Sequence, residues 1–124
     1  MANRNFSRFQ ALEKEIKALY AEVAIGATGA PTLTKGLGIA SISRKGAGNY
    51  KVVLDDKYTR LMFANVIHLD ADEQDLEFQL EAEDVNGTSP YVDFFCLTGA
   101  VATEVADGSK LYIKIELKNS SAGE

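Results

Sequence analysis

"FSRFQALEKEIKALYAEVAI", residues 6–25, decides how the chain is read, because its apolar spacing differs from everything that follows. Phe9, Leu12, Ile16, Leu19 and Val23 recur at intervals of 3, 4, 3 and 4. That is an a/d seam, which keeps to one stripe only where helices wrap around one another. The intervening Glu13, Lys14, Glu15, Lys17 and Glu22 are charged and mostly helix-favouring. The spacing predicts a helix here, with Phe6 extending the stripe and Asn5 or Ser7 as the cap. Such a helix has three uses: association with other copies through Phe9, Leu12, Ile16, Leu19 and Val23, docking on its own sheet, or docking on another protein. Self-association is the preferred one.

Gly26 is placed to end that helix as a C′ residue, and Pro31 stops it from resuming. Residues 26–38, "GATGAPTLTKGLG", read as a spacer. The repeated glycines do not make a phosphate loop: "GLGIAS" lacks the third glycine of G-x-G-x-x-G and opens a strand where that motif opens a helix.

Beyond the spacer the period is 2. "IASISRK" (39–45) and "NYKVVLD" (49–55) flank Gly46, Ala47 and Gly48, a hairpin turn, and the second strand puts Tyr50, Val52 and Leu54 on one face. "MFANVIHLD" follows. "LEFQLEAED" (76–84) alternates most cleanly, with Leu76, Phe78, Leu80 and Ala82 predicted inward. After the turn "NGTSP" come "YVDFFCLTG", an "ADG" turn and "KLYIKIELK", which predicts burial of Leu111, Ile113, Ile115 and Leu117. Short strands joined by turns, with no helices between them, define a mainly β chain: an antiparallel β-sandwich or jelly-roll-like domain preceded by one N-terminal α-helix. The expected organisation is a helix over 1–26, a glycine-rich linker over 27–38, a sandwich over 39–118 and a polar tail over 119–124.

Composition excludes several classes. The chain has 124 residues, about one domain. A formal charge of −5 argues against nucleic acid as a partner. The single cysteine, Cys96, forbids an intrachain disulfide. There is no signal-peptide h-region and no apolar run long enough for a membrane helix, so the expectation is a soluble chain made in a reducing cytoplasm. Charge is segregated: six basic residues lie in 35–60, and eleven acidic ones with no lysine or arginine lie in 61–109. Either the basic and acidic strands neutralise each other within one subunit, the preferred reading, or they orient one copy against another.

Candidate chemistry is thin. His68 is a lone strand histidine. Cys96 lies in an apolar run, where a buried thiol is the ordinary outcome. One cysteine and one histidine cannot close a zinc site without carboxylates. "DADEQDLEFQLE" (70–81) places acids at positions 1, 3 and 12 of an EF-hand-like loop, with Asp70, Asp72 and Asp75 as possible calcium ligands, but Asp75 occupies the position that requires glycine. A solvated acidic turn is the better reading. No enzyme, cofactor or metal is expected.

"GLGIASISRKGAGNYKVVLDDKYTRL" and the ending "ADGSKLYIKIELKNSS" resemble small tailed-phage and prophage virion proteins, in which a G-x-G-x-Y-x-V-x-L-x-D turn and strand precedes a tyrosine-and-leucine corner. The resemblance covers roughly 36–121. It implies a non-enzymatic, trimeric virion component, such as a capsid decoration (cement) protein or head fibre. Its partners would be its own copies and the major capsid protein or another virion protein, and its place the capsid surface after synthesis in the bacterial host. On that reading Arg4, Phe6 and Arg8 are the candidates for reaching the shell. The alternative is a tail or receptor-binding module that recognises a host surface ligand through exposed aromatics such as Tyr58, Tyr91 and Tyr112.

Overall fold

The computed structural model describes residues 16–119. The chain runs β1 (Ile16–Ile25), a 3-10 turn (Ala27–Gly29), β2 (Pro31–Leu37), β3 (Ile39–Gly46), β4 (Asn49–Leu54), β5 (Arg60–Leu69), β6 (Glu77–Glu83), β7 (Tyr91–Thr98), β8 (Val101–Ala102) and β9 (Lys110–Lys118). Two antiparallel sheets result, one ordered β2-β1-β9-β5 and the other β3-β4-β7-β6, with β8 pairing β7. Mainly β architecture is therefore as the period-2 pattern predicts.

The helix is not. Residues 16–25 form a strand held between β2 and β9, in register from Ile16 opposite Lys118 to Ala24 opposite Lys110. The seam contained the ambiguity. Leu19 and Val23 are four apart, a separation that keeps both on one face of a helix and equally on one face of a strand. Ala21 and Ile25 complete the strand reading, and all four are buried. Ile16, at an odd separation from Leu19, separates the two periods: it points outward and is 39% exposed, whereas Leu19 and Val23 are 0% exposed. Tyr20, Val23 and Ile25 also suit a pleated surface. Of the predicted oligomer interface, Leu19 and Val23 are thus core residues and Ile16 a surface residue. Phe9 and Leu12, like Arg4, Phe6 and Arg8, lie outside the described residues.

The predicted linker is structured as well. Gly26 has an extended backbone (φ −102°, ψ −160°), not the left-handed conformation of a helix C′ residue. The chain reverses through Ala27–Gly29 into β2, which pairs with β1. The sandwich therefore includes residues 16–37, ahead of the Ile39 boundary that alternation suggests.

Downstream, the predictions largely hold. Tyr50, Val52 and Leu54 of β4 are buried against Leu111, Ile113, Ile115 and Leu117 of β9 in one core, with Val92, Phe94 and Cys96 of β7. The Tyr50 and Phe94 rings stack at 5.4 Å. The β3–β4 turn is Ala47-Gly48, and Gly48 takes φ +63°. A Cβ there would lie 2.6 Å from the Thr103 nitrogen and 2.7 Å from the Cys96 carbonyl oxygen, so only glycine fits. Strand β6 departs from its clean alternation. It is an edge strand whose register slips between Leu80 and Ala82, so Leu80 sits opposite Phe94 but Ala82 opposite Asp93. That slip turns Ala82 out of the core, and Leu80 at the open edge stays exposed.

Candidate docking surface

The outward face of the β2-β1-β9-β5 sheet is built by the strand positions that alternate with the core. In β1 these are Tyr20 and Glu22, in β9 Tyr112 and Lys114, in β5 Phe63, Asn65 and Ile67, in β2 Lys35 and Leu37. Pairing aligns them into rows: Leu37 opposite Tyr20, Tyr20 opposite Lys114, Lys114 opposite Asn65; then Lys35 opposite Glu22, Glu22 opposite Tyr112, Tyr112 opposite Ile67. The trough on this face has a volume of ≈ 610 Å³. At one end, a register shift in β5 between Leu61 and Phe63 leaves both Met62 and Phe63 facing out.

The trough is unusually apolar for an outer face. Leu37 and Ile67 are each 60% exposed and Phe63 50%, with Tyr20 and Tyr112 beside them. Two of its charges are engaged: Glu22 Oε2 lies 3.6 Å from Lys110 Nζ, and Lys114 Nζ lies 3.3 Å from Glu116 Oε2 and 5.8 Å from the centre of the Tyr20 ring. Exposed pairs of this kind add little stability, at most about 1 kcal/mol each. They do leave the apolar side chains as the main unsatisfied feature of the face. Contiguous exposed apolar surface of this sort is the kind on which proteins bind another protein, a membrane or an apolar ligand.

The opposite sheet shows a contrasting outer face. Lys45 Nζ sits 2.7 Å from Asp93 Oδ2 and 3.3 Å from Glu81 Oε1, and Lys51 Nζ lies 4.3 Å above the Tyr91 ring. At the hairpin end, Arg44 Nε reaches both Glu104 carboxylate oxygens at 3.1 Å, while the Gly48 N–H donates to Glu104 Oε1 at 3.0 Å. The Arg44 hydrogen bond, helped by that of Gly48, holds the Glu104 carboxyl below its usual range. These pairs join the basic 35–60 stretch to the acidic 61–109 stretch inside one subunit, the preferred reading of the charge segregation.

The residues considered for chemistry are not brought together. Cys96 is buried, and desolvation pushes its thiol up to about 11, so it is no thiolate nucleophile. Tyr50 is likewise pushed up to about 12 by burial, and its hydroxyl donates to the Gly29 carbonyl at 2.9 Å. His68 Nε2 lies 3.9 Å from Asp70 Oδ2 in a smaller depression of ≈ 350 Å³. Asp70 Oδ1 accepts from the Asp72 N–H at 3.1 Å, an ordinary turn contact. Among the described residues no group of three or more His, Cys, Asp or Glu side chains could hold a metal ion. No helix among them is long and apolar enough to cross a membrane. Of the three tyrosines suggested as a recognition platform, Tyr58 is buried, Tyr91 lies under Lys51, and Tyr112 alone lines the trough.

Alternation correctly assigns Tyr112 to the outer side of β9, but Tyr20, Leu37, Phe63 and Ile67 go unnoticed in the sequence. One signal was present. "MFANVIHLD" carries large apolar residues in both of its period-2 sets, Met62 and Val66 in one, Phe63, Ile67 and Leu69 in the other. A strand apolar on both sides needs two apolar surroundings.

The fold and this face define a β-sandwich that presents an apolar trough on one sheet and a self-neutralised polar face on the other. Comparison with protein-family models, with curated proteins and with solved structures gives no match.

Proposed function

We propose that the chain is a non-catalytic structural component of a tailed-phage virion, a trimeric capsid decoration (cement) or head-fibre protein that binds and stabilises the shell. The observation that carries this reading is the apolar trough of Tyr20, Leu37, Phe63, Ile67 and Tyr112, a surface suited to protein contact rather than to bond-making chemistry. The sequence resemblance over 36–121 supplies the virion context. Copies associate through this face, and Arg4, Phe6 and Arg8 near the N-terminus meet the shell. Several weak contacts made together give strong attachment without any single tight site, because each further contact is made at high effective concentration.

The test is imaging of particles assembled with and without the chain, together with mass photometry of the purified protein. The expected result is an oligomer in solution and density at many repeated positions on the head. A chain that is monomeric at micromolar concentration and absent from the head surface overturns the proposal.

A further inference from the structure

We propose that the Asn86-Gly87 step, in the turn between β6 and β7, is a site of spontaneous deamidation, and that its isoaspartate product loosens the corner to which this turn is tied. The change is covalent and within the chain itself, so it stands apart from whatever the trough receives.

The reaction needs nothing beyond the chain and water. The Gly87 backbone nitrogen attacks Asn86 Cγ, and the new C–N bond closes a five-membered succinimide. The bond from Cγ to the side-chain nitrogen breaks, and that nitrogen leaves as ammonia with the proton given up by the Gly87 amide. Water then opens the ring. Attack at Cγ gives aspartate; attack at the main-chain carbonyl carbon leaves the backbone running through Cγ, as isoaspartate with an additional methylene in the chain.

The turn favours this step. Asn86 is exposed, and Gly87 offers a backbone nitrogen with no side chain beside it, the least hindered nucleophile that can follow an asparagine. The Gly87 N–H reaches the Asp84 carbonyl at 3.3 Å, beyond the usual range for such a bond, so little holds the nitrogen back. The other asparagines among the described residues are placed differently. Asn49 and Asn65 lie inside β4 and β5, where a paired, extended backbone keeps the following amide away from Cγ, and they precede Tyr50 and Val66. Asn119 is exposed but is followed by Ser120 rather than glycine.

What surrounds the turn gives the change its effect. Val85, immediately before Asn86, is 2% exposed in the core, and its carbonyl accepts the Tyr58 N–H at 2.8 Å. Beyond the turn the Pro90 carbonyl accepts the Leu54 N–H at 3.0 Å, and the Asp84 N–H donates to the Tyr91 carbonyl at 3.0 Å. Asn86 is therefore strung between anchors on β4, on β7 and on the chain entering β5. Gly87 has no slack either, because the Asp84 carboxylate occupies the place where a Cβ would sit. An added methylene between anchors of fixed separation displaces one of them. The new carboxylate also arrives next to Glu83 and Asp84, in a stretch without lysine or arginine.

The test is ageing of the full-length chain in mildly alkaline buffer at physiological temperature, with peptide mapping by mass spectrometry and urea unfolding on the same samples. The peptide holding Asn86 should gain the mass of an amide turned to acid and divide into two new chromatographic species, isoaspartate the larger. Asn49 and Asn65, whose strands must first open, should convert at least about tenfold more slowly. An Asn86 peptide that stays intact, or conversion at Asn49, Asn65 or Asn119 as fast as at Asn86, overturns the proposal. Asn86→Asp carries the charge without the added methylene, and Asn86→Gln closes a larger ring far more slowly. The isoaspartate-bearing chain should unfold at lower urea than the fresh chain and than Asn86→Asp, while Asn86→Gln keeps its midpoint through ageing. An isoaspartate-bearing chain with an unshifted midpoint, or a shift reproduced in full by Asn86→Asp, overturns the loosened corner.

Discussion

Replacing Leu19 by alanine tests the placement of β1 directly. Leu19 is 0% exposed and lies opposite Ile115, itself fully buried. Gly38 packs against it with φ +79°, and a Cβ at that glycine would collide with Leu19 Cδ2. The substitution removes three carbon atoms, worth roughly 2–2.5 kcal/mol in transfer free energy. Because the neighbour on one side is a backbone without a side chain, the site collapses poorly, and the cavity adds about 1–1.5 kcal/mol. A total cost of about 3–4 kcal/mol lowers the urea midpoint by about 2 M at an m of ~1.5 kcal/mol/M. Ile16→Ala is the control. Its side chain is 39% exposed on the outer face, so it should cost about 1 kcal/mol or less. The measurement is equilibrium urea unfolding followed by circular dichroism for both variants. A helix seam makes Ile16 and Leu19 equivalent, so equal losses would refute the strand assignment.

Glu104 gives a pH prediction: its folded pKa is lowered, so the stability it contributes is present above the unfolded carboxylate value and is lost as pH falls through the lower folded value. Urea midpoints measured across the acid range should fall less steeply for Glu104→Gln than for the unmodified chain. Gly48→Ala should destabilise by about 2–4 kcal/mol, since it combines a left-handed backbone with a Cβ 2.6 Å from the Thr103 nitrogen; thermal unfolding checks this, and a neutral result would mean that the β3–β4 turn differs. Cys96 should stay silent to Ellman's reagent at pH 8 in the folded chain and react fully in denaturant, because it is buried and its thiol is pushed up to about 11.

Much of the fold was legible. Period-2 runs from Ile39 onward located the strands, and the buried sets Tyr50, Val52, Leu54 and Leu111, Ile113, Ile115, Leu117 follow from them without knowledge of pairing. The Gly46-Ala47-Gly48 turn was equally clear, since positive φ has few alternatives to glycine. The edge of β6 was less so. Alternation assumes that register is kept, and the slip between Leu80 and Ala82 is invisible until the strand is set beside β7. Of the docking face, only Tyr112 stood out. Tyr20 was absorbed into a supposed helix, Leu37 into a linker, and Phe63 and Ile67 were hidden in a strand whose two sides are both apolar.

The sequence by itself determined a mainly β, antiparallel chain from Ile39 onward, because alternation over short runs and glycine at turns are local properties. Only the tertiary structure decided whether residues 16–25 coil or extend. Leu19 and Val23 satisfy both periods, and the choice is made by β9, far away in sequence, whose backbone groups pair with β1 from Ile16 opposite Lys118 onward. The same pairing turned Tyr20 outward beside Leu37 and Lys114, and so created the apolar trough from three distant segments, none of which reads as an interface alone.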